Sequence, residues 1–144
     1  MGPEPTKAFK EGLKLKKHDK PFPFIKSYKS LTEVLTDHRL AALGDAYINF
    51  AYSLALSIKR GKPSGAKVKG TVLVEAFRKA GLRGHMPSRV SSHMLADAAE
   101  ALIVYAWLYG CISLDECVSI LCKSGDSVEG FTQLLLAIRG KITF

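Results

Sequence analysis

From residue 30 onward apolar positions recur every three or four residues, the period of helices that each bury one face. SLTE at 30–33 has the form of a capping box, in which Ser30 accepts an early amide and Glu33 reaches back. It opens a short helix to about His38. A long apolar helix follows from about Arg39 to Lys59, and GKPSG at 61–65 stops it. KGTVLVEAFRKAGL predicts a helix from about Lys69 to Ala80, closed by Gly81. Its β-branched run VKGTVLV at 68–74 would suit a strand, but no partner strand is evident. RGHMPS at 83–88 reads as a loop. A second apolar helix runs from about Ser91 to Tyr109 and ends at Gly110. SLDE at 113–116 opens a helix to about Lys123, and DSVE at 126–129 opens the last, ending near Gly140. The expectation is an all-α domain over 28–144, with about six helices and no internal repeat.

Residues 1–27 read differently. They hold four of the six prolines and many lysines, and KPFPF at 20–24 reads as extended because each Pro also restricts its predecessor. This basic arm is expected either to be disordered or to pack on the body through Phe22 and Phe24. It has no apolar stretch of the kind that forms a secretory signal. The run LAALGDAYINFAYSLALSI at 40–58 is nearly long enough to span a bilayer and holds one charge. That charge, Asp45, would cost about 2.5–3.5 kcal/mol at a bilayer centre. A buried helix in a soluble bundle explains the run at lower cost, so no membrane span is expected.

Composition adds a partner class. At 144 residues the chain is most simply one domain, able to bury about two thirds of its unfolded surface. Lys and Arg total 21 against 13 Asp and Glu, a net charge of +8 that suits a polyanion. Cys111, Cys117 and Cys122 are odd in number and lack the two-residue gap of many zinc and redox motifs. They read as reduced thiols in a cytoplasmic protein.

The chemistry concentrates in LADAAEALI at 95–103, where Asp97 and Glu100 sit three apart in an apolar run. On a helix they share a stripe with His93 and Val104, their Cβ atoms about 5–6 Å apart. Two like charges among apolar neighbours need a cation, a shared proton or a metal to offset repulsion and lost hydration. On the other apolar helix Asp45 is the only acid between Asp37 and Glu75, with His38, Asn49 and Tyr52 roughly on its stripe. If the two helices pack together, Asp45, Asp97 and Glu100 converge as three hard oxygen donors suited to Mg2+ or Mn2+. In a basic protein that set points to hydrolysis at phosphate. The plainer alternative is that each acid pairs with an Arg or Lys, or caps a helix.

LAALGDA at 40–46 resembles the ribonuclease III signature, whose core is L-G-D-A on a buried helix. HMLADAAEALI at 93–103 resembles that family's second signature, x-x-L-A-D-x-x-E-A-L-I, and the two occur in the family's order. The resemblance implies an all-α endonuclease domain that dimerises and cuts double-stranded RNA with Mg2+, leaving 3′-hydroxyl and 5′-phosphate ends. It implies that Asp45, Asp97 and Glu100 are the metal ligands, with Asp45 and Glu100 catalytic. Full-length members carry a Glu four residues before the signature Asp, and usually another three residues earlier; here these positions are Ala41 and His38. The mini-ribonuclease III branch has a small apolar residue at the Ala41 position and no double-stranded-RNA-binding domain, so the likeness is closest to that branch. The short interval from Asp45 to Asp97 implies that an intervening helix is trimmed.

His93 and Asn49 are expected to support the carboxylates without binding the ion. Lys59, Arg60, Lys62, Lys67 and Lys69 cluster about one loop, and Arg78, Lys79, Arg83, His85 and Arg89 flank the next. If both loops lie on the carboxylate side, their charges form a rim for RNA phosphates; otherwise they are solvated loop charges. Tyr105, Trp107 and Tyr109 are expected in the core or a dimer interface. The leading expectation is a Mg2+-dependent endoribonuclease acting on structured RNA as a homodimer. The alternative, favoured by Ala41, is a non-catalytic RNA- or ribosome-binding module with the same fold.

Overall fold

A computed structural model describes residues 22–144. Among them are six α-helices and no strand: α1 (Leu31–Leu35), α2 (His38–Arg60), α3 (Gly70–Lys79), α4 (Ser92–Leu108), α5 (Leu114–Lys123) and α6 (Ser127–Arg139). The all-α expectation holds, and none of these helices is long and apolar enough to cross a membrane. Residues 83–88 are not wholly a loop, since Arg83–His85 forms one 3-10 turn.

The caps explain where the helices start. Ser113 and Glu116 form the complete reciprocal box at α5, with N···O distances of 3.0 and 3.2 Å. At α1 the box is displaced: Ser30 Oγ accepts the Glu33 amide, but the Glu33 carboxylate takes the Lys29 amide instead of that of Ser30. α1 stops at Leu35, short of the expected His38, because Asp37 is captured as the N-cap of α2. Its carboxylate accepts the Arg39 and Leu40 amides and the Tyr28 hydroxyl, with the Lys26 ammonium 3.5 Å away. Burial works against that charge, but the Tyr28 and Leu40 hydrogen bonds and Lys26 outweigh it and hold Asp37 below the usual carboxylate range. The stops expected at Gly61, Gly81 and Gly110 are the three described residues with positive φ, at 69°, 74° and 72°.

The strand alternative at 68–74 loses because a helix puts Leu73, Val74, Ala76 and Phe77 on one buried face. That face packs on α4 and α6. α4 is the central helix, contacted by α1, α2, α3 and α6, and is buried nearly all round. Arg139 at the end of α6 donates to the Ala80 carbonyl at 2.9 Å, tying it to the end of α3.

Of the aromatic residues at the end of α4, Tyr105 lies in the core, and Trp107 and Tyr109 are partly buried against it. Tyr105 is buried, Trp107 lies 5.1 Å from the Tyr47 ring, and Tyr109 lies 4.6 Å from Tyr105. The N-terminal arm falls largely in 1–21, outside the described residues. Its described end packs on this cluster through Phe22, 6.2 Å from Trp107, and through buried Ile25. Phe24 is 64 % exposed and, among the described residues, its only ring contact is with Phe22, so Ile25 takes the anchoring role expected of it. The three cysteines are free thiols.

The most extensive helix contact is α2 against α4, and Gly44 sets its closeness. A Cβ built on Gly44 would lie 2.1 Å from the Glu100 carbonyl oxygen and 3.1 Å from the Glu100 Cβ. The obstacle is backbone and cannot rotate aside. Gly44→Ala should therefore force the helices apart at a cost of about 1–3 kcal/mol or more, read as a lower midpoint in thermal or denaturant melting. Gly65→Ala, with nothing within 4 Å of the added carbon, should melt like the wild type.

Candidate active site

The contact at Gly44 places the next residue, Asp45, against Glu100. Both signature acids thus meet because their helices touch backbone to backbone at this level. Glu100 is only 8 % exposed and lies within hydrogen-bonding reach of the Asp45 carboxylate. Burial, that hydrogen bond and the charges of Asp45 and Asp97 all act in one direction, and the Glu100 carboxyl is pushed up to about 8. Glu100 therefore holds its proton to higher pH than an ordinary carboxyl does.

Asp97 lies one turn earlier on α4. Its Oδ2 is 3.6 Å from His93 Nε2 and 4.0 Å from His38 Nδ1, with both imidazoles largely exposed. His93 thus stands beside Asp97 as expected, at ion-pairing rather than hydrogen-bonding distance. His38, one of the two positions where the chain departs from the family signature, reaches the same carboxylate, a contact that sequence spacing does not reveal. Among the described residues no Lys or Arg comes within ion-pairing distance of Asp45, Asp97 or Glu100. Pairing of each acid with a Lys or Arg is therefore not how this corner is balanced among them. Nor are any three His, Cys, Asp or Glu side chains among the described residues gathered closely enough to enclose a metal ion. The corner is an Asp45–Glu100 pair within hydrogen-bonding reach, with Asp97 beside it on α4.

Asn49 orients this pair. Its Nδ2 donates to Asp45 Oδ1 at 3.1 Å, while its Oδ1 accepts the Val68 amide at 2.7 Å. The same stripe of α2 continues with Ser53, which accepts the Ala66 amide at 3.0 Å, and Ser57, which accepts the Ser64 amide at 2.8 Å. Residues 64–68 are thereby fastened along α2. Sequence reasoning missed Ser53 and Ser57; the available signal was three small polar residues at four-residue spacing on an otherwise apolar helix.

The basic residues divide. Lys67 and Lys69 are exposed on the fastened segment, and Arg60, Lys62 and Arg89 are exposed nearby in the chain or on the second loop. Lys59 and Arg83 have structural partners. Lys59 donates to the Ser124 carbonyl at 3.1 Å, and Arg83 closes its own loop by donating to the Pro87 and Ser88 carbonyls.

The helical body agrees with a comparison against protein families. The Ribonuclease III family model matches residues 38–141, so the chain belongs to the ribonuclease III family. A search of curated proteins gave no match.

Glu100 makes stability depend on pH in a definite direction. Unfolded, it titrates near the ordinary carboxyl value of about 4.3; folded, it titrates near 8. Between these values the folded state holds a proton that the unfolded state has lost, so this contribution is full below the lower value and is lost as pH rises through the upper. Glu100→Gln keeps a neutral donor facing Asp45. Denaturant melts at pH 5 and pH 9 should show a loss of stability in the wild type that the variant largely escapes.

Proposed function

We propose that the chain is an endoribonuclease that hydrolyses phosphodiester bonds of double-stranded or structured RNA with Mg2+ or Mn2+, working as a homodimer. The observation that carries this reading is the Asp45–Glu100 carboxyl pair at the α2–α4 contact, flanked by Asp97, in a ribonuclease III family chain.

The donor chemistry fits a hard divalent cation. Asp45 and Glu100 meet with Asp97 one turn away on α4, and burial first, then its acidic neighbours, raises the proton affinity of Glu100. Asp45, Asp97 and Glu100 are the residues that would hold the ion, Glu100 in its ionised form. A bound ion would offset charge at the phosphate and favour ionisation of an attacking water. Asn49 holds Asp45 in place through the Val68 backbone. In the hydrolysis the P–O3′ bond breaks, water oxygen joins the 5′-phosphate, and a proton ends on the 3′-hydroxyl. Exposed Lys and Arg side chains on the two loops would supply salt-dependent contacts to backbone phosphates without reading sequence.

A second copy is supported by the outer face of α2. Leu43 and Phe50, two turns apart on one face of the helix that carries Asp45, are 39 % and 55 % exposed. Apolar side chains grouped in this way favour a protein interface. Phe50→Glu should give a monomer in sedimentation equilibrium where the wild type sediments as a dimer.

The non-catalytic reading keeps one observation in its favour. Ala41, where the full-length family carries an acid, is 4 % exposed and closed over by the fold. Cleavage of a long end-labelled duplex RNA at low salt separates the two. The endoribonuclease reading expects cutting with Mg2+ or Mn2+, none with EDTA, and a loss of about 100-fold or more in folded Asp45→Asn and Glu100→Gln proteins. Duplex binding without cutting in all three proteins would identify a binding module.

A further inference from the structure

Asn49, Ser53 and Ser57 follow one another at four-residue intervals on α2, and all three direct hydrogen bonds to the same extended segment. They take the amides of Val68, Ala66 and Ser64 in turn, so the segment runs antiparallel to the helix and is held at every second residue. The Ser53 hydroxyl also donates to the Ala66 carbonyl at 3.2 Å. Because the held residues are alternate ones, Ser64, Ala66 and Val68 are partly buried, while Gly65, Lys67 and Lys69 are exposed. Lys67 and Lys69 therefore leave the segment on its outer side, with Cα atoms about 6.6–7 Å apart along an extended chain. Neither is ion-paired among the described residues. The rung nearest Lys67 and Lys69 is Asn49, which is itself bonded to Asp45. The backbone bearing the two ammonium groups is thus tied through one side chain to the carboxylate corner.

We infer that the Asn49–Ser53–Ser57 ladder is a positioning device that presents Lys67 and Lys69 as two adjacent phosphate contacts for the RNA strand entering the Asp45–Glu100 corner. This rests on the endoribonuclease reading above. The ladder fixes the backbone from which the charges project, while the flexible lysine stems adjust to the phosphates. The contact recognises backbone phosphate and carries no base readout.

The test measures binding of a duplex RNA in EDTA, as a function of salt, together with amide hydrogen exchange. Lys67→Ala/Lys69→Ala should leave exchange at Ser64, Ala66 and Val68 unchanged and lower the slope of log K against log salt by about 2, one unit per lost phosphate contact. A charge-matched control, Lys29→Ala/Lys123→Ala, should leave the slope near the wild-type value. Ser53→Ala/Ser57→Ala should speed exchange at Ser64 and Ala66 by about tenfold or more and weaken RNA binding with every lysine retained. Restoring hydroxyls with Ser53→Thr/Ser57→Thr should recover part of both. A wild-type slope in the Lys67/Lys69 variant overturns the inference while leaving the endoribonuclease reading standing. So does fast exchange in the serine variant with undiminished binding. A wild-type protein that neither binds nor cuts duplex RNA overturns both.

Discussion

The approach of α2 to α4 at Gly44 is the constraint on which the rest of the structure depends. With no side chain at this position, the α2 backbone lies against the Glu100 carbonyl. Only at that separation does Asp45 reach Glu100, and only then does a charged group become buried beside a second one. The same contact organises the fold, because α4 is the helix on which α1, α2, α3 and α6 pack.

Magnitudes decide the state of the carboxyl pair. Two full charges about 4 Å apart near a protein surface repel by about 4 kcal/mol. Keeping a proton on an ordinary carboxyl at pH 7 costs roughly 3–4 kcal/mol, at 1.36 kcal/mol for each pH unit above its usual value. Burial of Glu100 acts first, the hydrogen bond to Asp45 and the charges of Asp45 and Asp97 act with it, and all raise its proton affinity. A divalent cation would act on the same imbalance with greater charge. The raised proton affinity of Glu100 and the proposed ion are thus alternative answers to one electrostatic problem posed by the fold.

Much of this was legible from the chain. The six helices followed from apolar periodicity, Ser/Asp–x–x–Glu caps and glycine stops, since each is a local signal. The three acids stood out because charge in an apolar run demands compensation. Long-range detail was not legible. Asp37 ends α1 early because Tyr28 and Lys26, from the preceding segment, converge on it. Arg83 turns onto its own loop carbonyls, where charge counting placed it on an RNA rim. His38 reaches Asp97 only because α2 and α4 cross where they do. The serine rungs at 53 and 57 were hidden because a small polar residue on a helix usually faces water, and their partners are backbone amides elsewhere in the chain.

Divalent-cation binding at the α2–α4 corner is the central proposal. Crystals of the wild-type chain grown with Mn2+ and measured for manganese anomalous scattering test it directly. The prediction is an anomalous peak held by the Asp45 and Glu100 carboxylates with Asp97 contributing, and no such peak in Asp45→Asn crystals grown alike. An Asp45–Glu100 pair still closed on its own hydrogen bond, with manganese absent or bound elsewhere, would contradict it.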